Sequence, residues 1–373
     1  GTCSPSITSS ASSLTVNTAP AITVQPVSTQ AVCEGSSASF SVTATGTGLS
    51  YQWKKNGVDI SGATSSSYSI ASTATADGGT YTVSVSGSCT PAVTSTGSVL
   101  TIREQPEITV QPAASQTVCV GQGATFTVTA GATTSPTYQW RKGGSPIGGA
   151  TSASYTIGSV VSGDAGSYDV VVSGTCSPSI TSSASSLTVN TPPTSFANPQ
   201  TICSGQTTNI SITNPNGVSG TSFAWTIQSA SNVTGQTPGS GATIAQALTA
   251  TGSNQGSVTY QIIASAAGCS GAPFAVTATV NPIPDAAASD KSICSGSNAS
   301  VAITNPNSVA NTTFSWTTTT VSNITGAANG SGNTISQVLN SADGVSSGYV
   351  IYAVTPTATG CPGTPINVRV DVN

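Results

Sequence analysis

The sequence predicts an all-β protein, a series of tandem β-sandwich domains arranged end to end as a rod. Three observations carry that expectation. Segments repeat at fixed periods: GTCSPSITSSASSLTVNT at residues 1–18 returns unchanged at 174–191, and longer units recur at offsets of 86 or 87 residues and then of 91 or 92. Short runs such as ASFSVTAT alternate apolar and polar side chains between turn signals, the period of a half-buried strand, and no amphipathic helical period is visible. Nine cysteines are spread through the chain, one early and one late in each complete unit.

Composition sets the outer limits. Charged residues are 5% of 373, against roughly 25% in an ordinary soluble domain, so hydroxyls and backbone must keep the surface wet. A net charge of −4 offers neither nucleic acid nor an anionic membrane an electrostatic partner. Apolar runs of only a few residues predict no membrane insertion, and the N-terminus lacks the layout of a signal peptide. The chain contains no Met, so it reads as a mature or internal piece of something longer.

In chain order, residues 1–18 read as the last strands of a preceding domain, with Ile7, Leu14 and Val16 as its apolar positions. The first complete unit is 19–104, with Phe40 and Val42, Tyr51 and Trp53, and Tyr81, Val83 and Val85 on inward faces. The second, 105–191, repeats the plan with Phe126 and Val128, Tyr138 and Trp140, and Tyr168, Val170 and Val172. Two further units, 192–281 and 282–373, share ICSG, ITNPN, the aromatic pairs Phe223/Trp225 and Phe314/Trp316, a stretch ending in Tyr260 or Tyr352, and a Gly-Cys followed by a glycine two residues on. The joints are short and Pro-rich, which favours stiff spacers. Four end-to-end sandwiches with strands of ~8 to 10 residues would extend on the order of 120 to 150 Å.

Cysteine arithmetic predicts disulfides within each unit: Cys33 with Cys89, Cys119 with Cys176, Cys203 with Cys269 and Cys294 with Cys361. Cys3 occupies the place of Cys176 and is left unpaired within the chain. Zinc is the alternative, but there is no His and no C-x-x-C. Disulfides imply an oxidising, extracellular compartment. Each bridge, closing a loop of roughly 57 to 68 residues, would contribute ~4 kcal/mol in the chain-entropy model.

Asp77-Gly78-Gly79-Thr80-Tyr81-Thr82-Val83 and Asp164-Ala165-Gly166-Ser167-Tyr168-Asp169-Val170 resemble the D-x-G-x-Y-x-C strand of the immunoglobulin superfamily, and Trp53 and Trp140 resemble its core Trp. That family's two core cysteines align with Val42 and Val83, and with Val128 and Val170, so the resemblance implies a valine–tryptophan core with the bridge moved to one end of each sandwich. Residues 192–373, on the motifs quoted above, resemble the PKD-like modules found in tandem in very long surface and secreted proteins of Bacteroidota. What that resemblance implies is a seven-stranded sandwich with Trp225 and Trp316 in the core. It further implies export by the type IX route, attachment through a C-terminal domain not present here, and a role in gliding or surface adhesion.

Little in the chain carries chemistry. Acid–base and nucleophilic schemes draw on His, perturbed carboxylates or low-pKa thiols, and the sequence has no His. No cofactor is expected. Asp285 and Asp290 flank the last joint, but Ca²⁺ wants six to eight oxygens and no acidic cluster is there to supply them. Asp77 and Asp164 read as turn caps. The basic pairs Lys54-Lys55 and Arg141-Lys142 read either as contacts for acidic glycans or a neighbouring subunit, or as edge protection. Sequons at Asn209, Asn232, Asn298, Asn311, Asn323 and Asn329 are expected by chance in so Ser/Thr-rich a chain.

These features predict a non-catalytic extracellular stalk or filament on a bacterial surface, structural or adhesive. Its partners are neighbouring repeats of the same chain, other copies in a fibre, or surface glycans. Residues 1–18 are then the cut end of a longer chain or strands donated to another subunit. The alternative is a carbohydrate-binding or spacer region of a large secreted polysaccharide-degrading enzyme, which predicts a ridge of exposed aromatics.

Overall fold

The computed structural model describes residues 5–373, and Cys3 lies outside them. Two compact units divide the chain, one ending at Val189 and the other beginning at Asn190. The regular secondary structure of each is almost wholly strand. No helix among the described residues is long and apolar enough to cross a membrane. Residues 5–18 form no strand, and Ile7, Leu14 and Val16 are exposed.

In the first unit, one sheet orders Thr29–Cys33, Ser98–Arg103, Gly79–Ser86, Ser50–Lys55 and Val58–Asp59. Thr29–Cys33 runs parallel to Ser98–Arg103, which sets Cys33 beside Arg103. The other neighbours are antiparallel. Ala38–Ser41 pairs with Ser67–Ile70 in a second sheet. Alternation along these strands sends Phe40, Trp53, Tyr81, Val83 and Val85 into one core. Phe40 and Tyr81 stack with centroids 4.3 Å apart, and the Trp53 indole N–H donates to the Ser65 carbonyl at 3.0 Å. A buried indole N–H usually finds such a partner. The second sandwich repeats this with Phe126, Trp140, Tyr168, Val170 and Val172, and Trp140 donates to the Ser152 carbonyl. Val42, Val83, Val128 and Val170 are all buried. These cores are valine and aromatic, with no cystine in them.

The second unit builds its larger sheets on the same plan. One orders Gln200–Cys203, Phe274–Asn281, Gly256–Ala266, Ser222–Ser231 and Gly239–Ser240; the other orders Lys291–Ile293, Ile366–Val372, Gly348–Ala358, Thr313–Ser322 and Gly330–Ser331. Again the early strand is parallel to the last one. Trp225 and Trp316 are buried opposite Gly239 and Gly330. A Cβ on those glycines would come within 2.5 and 2.6 Å of the indoles, so the missing side chain makes room for the ring. Phe314 is buried, whereas Phe223 is only half-buried.

Four buried tyrosines tie the central strands to their surroundings. Tyr81 and Tyr168 donate to the carbonyls of Asp77 and Asp164 at 2.7 Å, each closing a corner four residues back. Tyr260 and Tyr352 donate instead to Gln246 Oε1 at 2.8 Å and Gln337 Oε1 at 2.7 Å. Burial pushes all four hydroxyls up to about 12, helped at Tyr81 and Tyr168 by the nearby Asp77 and Asp164 carboxylates. Because the folded value exceeds the ordinary 10.0, the stabilisation is fully present below about pH 10. It is lost as pH rises through about 12, since the unfolded chain ionises first. Alkaline titration is therefore expected to show these tyrosines ionising together with loss of the β circular-dichroism signal. Ionisation of all nine tyrosines with that signal intact would contradict their burial.

Candidate functional site: the domain joints

Polar chemistry within the sandwiches is spent on local structure. The Asp77 and Asp164 carboxylates accept from the backbone N–H groups of Ala74 and Val161 at 2.8 Å and cap the 3-10 turns Thr75–Asp77 and Ser162–Asp164. Lys54 pairs with Asp59 at 3.0 Å, and Arg141 makes a two-pronged pair with Asp169 at 2.7 and 2.9 Å. Lys55 and Lys142 donate to the carbonyls of Ala76 and Gly163. Strand Ser50–Lys55 has neighbours on both sides, so the expected edge-guarding role is corrected: these bases brace an interior strand. Asp290 accepts from the Arg369 backbone N–H at 2.8 Å, and Asp285 donates its own N–H to Asn307. Among the described residues no three His, Cys, Asp or Glu side chains gather where a metal could bind.

The cysteines show where consecutive domains are joined, and here the structure overturns the sequence reading. Cys33 is bonded to Cys176, and Cys203 to Cys361, each with Cα atoms 5.6 Å apart. In both, the early cysteine of one sandwich meets the late cysteine of the next. Cys119 and Cys269 are likewise disulfide-bonded. Cys89 and Cys294 are free thiols, so all four expected pairings fail: Cys33 with Cys89, Cys119 with Cys176, Cys203 with Cys269, and Cys294 with Cys361.

Strand direction explains the correction. The early cysteine ends a strand parallel to the last strand, so it lies at the exit of its domain; Cys203 is beside Asn281, one residue past Val280, which faces Gly256. The late cysteine follows the antiparallel central strand, and Cys269 faces Ala266 at that strand's far end. From Gly256 to Ala266 is on the order of 30 Å at ~3.4 Å per residue. A disulfide requires Cα atoms within about 7 Å, so a pairing inside one sandwich is out of reach. Bridging to the next domain is the arrangement the topology permits.

Polar contacts surround each bridge. At the first joint Glu34 N–H donates to the Arg103 carbonyl at 3.0 Å. At the second, Ser204 N–H donates to the Asn281 carbonyl at 2.8 Å, while the buried Asn281 amide donates to the Thr359 carbonyl at 3.3 Å and accepts from Gln255 at 2.7 Å. The Pro-rich linker crosses so close to Gly363 that a Cβ there would lie 1.9 Å from the Pro284 carbonyl oxygen. Gly271 stands in the same relation to Pro193. Three features escaped the sequence reading: the Asn281 latch, the Gln246 and Gln337 braces, and the reason for the Gly-Cys-x-Gly motif. The two glutamines recur in IAQAL and ISQVL at the shared offset of 91, a signal available in the sequence.

Two family models match segments of both units. An immunoglobulin domain model matches residues 19–86 and 105–173, and a PKD-like domain model matches 200–284 and 291–373. A decoration protein of Escherichia phage T5 is 44% identical over 78 residues, 21% of this chain; the chain spans about half the length of that relative, 48%. Among solved structures, an I-band fragment of titin aligns at 15% identity and a TM-score of 0.45, covering 71% of this chain and 99% of that one. Sidekick-1 immunoglobulin domains 1–4 align at 16% identity and a TM-score of 0.34, covering 95% and 99%.

Proposed function

From a tandem array of immunoglobulin-like and PKD-like sandwiches stapled domain to domain, we propose that this chain is a load-bearing stretch of an extracellular stalk or filament, structural or adhesive, on a bacterial surface. One observation carries the reading: the bridges join consecutive domains, Cys33 to Cys176 and Cys203 to Cys361. A bond placed there adds little to the core of either sandwich. What it restricts is the hinge. In the chain-entropy model, loops of 143 and 158 residues make each bridge worth ~5 kcal/mol. Oxidised joints also require an oxidising compartment.

Neither matched family is that of a catalytic domain, and the large aromatic side chains Trp53, Trp140, Tyr81, Tyr168, Tyr260 and Tyr352 are buried in the cores, leaving them unavailable to a sugar-binding ridge. The relative named as a decoration protein fits display better than chemistry. Placement on a Bacteroidota cell after type IX export rests on the resemblance of residues 192–373 to modules of that phylum, and acidic surface glycans are the adhesive partners that the basic pairs Lys54-Lys55 and Arg141-Lys142 suggest. The test is electron microscopy of single particles with and without reductant. We expect a narrow spread of interdomain angles when oxidised and a clearly broader one when reduced. Equal spreads, or specific retention on a glycan array with no change in stiffness, would favour a spacer or carbohydrate-binding region instead.

A further inference from the structure

Cys89 and Cys294 hold the positions that are bridged in the other sandwiches. Cys294 follows the strand Lys291–Ile293, whose Ile293 lies beside Val372, as Cys203 lies beside Asn281 and Cys33 beside Arg103. The turn that follows is the same in all three. Ser295, Ser204 and Glu34 donate to the carbonyls of Asn373, Asn281 and Arg103 at 2.9, 2.8 and 3.0 Å, and Gly296, Gly205 and Gly35 close it at φ of 83°, 84° and 81°. Asn373 also takes the place of the Asn281 latch. At the other end, Ser88 N–H donates to the Thr47 carbonyl at 2.8 Å, as Thr175 N–H before Cys176 donates to Thr134. The backbone frame of both half-joints is therefore already formed.

Accessibility differs in the direction an open joint requires. Cys176 and Cys361, bridged and covered, are 2% and 1% exposed, whereas Cys89 is half-buried; Cys294 is exposed, whereas Cys33 and Cys203 are half-buried.

We propose that Cys294 and Cys89 are the two open halves of the same joint. Cys294 bonds the late cysteine of a sandwich domain docked beyond Asn373, and Cys89 bonds the early cysteine of one docked before the first sandwich. The inference rests on the stapled-stalk reading above. In each closure two thiols lose two protons and two electrons and form one S–S bond; the electrons reduce the disulfide of a thiol oxidant to a dithiol. The ligand is thus a cysteine on a sandwich of this class, supplied by continuing polypeptide or by a second copy.

The experiment is peptide mapping after treatment with a dithiol oxidant, on the 373-residue chain carrying Cys3→Ser and on native material. In the first, the expected product is a disulfide-linked multimer in which the Cys294 peptide of one copy is joined to the Cys89 peptide of another. C89S or C294S abolishes the multimer. In native material, a Cys294 peptide joined within one polypeptide to a late-position cysteine of a following domain identifies continuing chain as the source. Thiols that stay open to alkylation in both materials, or a Cys89–Cys294 link inside one molecule, would overturn the proposal. The same maps report Cys33–Cys176 and Cys203–Cys361. Their absence sinks the stalk reading, while their presence without a Cys294 link sinks only this inference.

Discussion

Pulled from its two ends, the reduced chain is expected to extend about 500 Å further per bridge than the oxidised chain. The estimate follows from the bonds. Cys33 and Cys176 are 143 residues apart and Cys203 and Cys361 are 158 apart; residues inside a closed loop carry no load, and each released residue adds at most ~3.3–3.6 Å. Had the cysteines paired within each sandwich, every bridge would hide fewer than half as many residues, and reduction would release them in steps of roughly 200 Å. Single-molecule force spectroscopy with and without a thiol reductant separates the two cases. The longer loops also have a physical consequence for the oxidised chain under load. In the oxidised state most of both sandwiches lies inside cross-linked loops, so a domain that opens under load lengthens the chain little and can refold in place.

The same bonds show what was legible in the sequence and what was not. Periodicity two exposed the strands, and the repeats exposed the tandem sandwiches, because both are local patterns written into every unit. Trp53, Trp140, Tyr81 and Tyr168 could be assigned to cores for that reason, and all four are buried. Pairing of the cysteines depends instead on strand direction. An early and a late cysteine in one repeat look like natural partners until the parallel pairing of Thr29–Cys33 with Ser98–Arg103 and the antiparallel run of Gly79–Ser86 place them at opposite ends. Spacing along a chain carries no sign of direction. The edge-protection reading of the basic pairs failed for a related reason: Lys54 and Arg141 look like edge charges in sequence, but the short segments Val58–Asp59 and Ser145–Pro146 pair beside them and convert the edge into an interior.

Replacement of Gly363 by alanine is expected to cost about 3 kcal/mol, the upper end of the usual penalty for overpacking, and to lower the melting temperature by several degrees. Its backbone is not in the left-handed region, so conformational freedom is not the reason a glycine stands there. Space is the reason. A Cβ would sit 1.9 Å from the Pro284 carbonyl oxygen and 2.8 Å from Pro356 Cγ, and the first of these belongs to a backbone that prolines 282 and 284 hold stiff. To admit a methyl group the linker must lift, and Cys361, two residues away and bonded to Cys203, must move with the strand end or strain the joint. The neighbouring Gly360→Ala supplies the control. Gly360 has φ of 81° and nothing within 4 Å of the added carbon, so its cost is conformational only, about 1 kcal/mol. Thermal unfolding of the two variants, each oxidised and reduced, then reads the coupling. If the linker and the bridge act together, reduction should relieve part of the Gly363→Ala penalty and leave that of Gly360→Ala unchanged. Equal penalties for the two substitutions would mean that the crossing of linker over strand is loose, and that the Gly-Cys-x-Gly motif serves the turn alone.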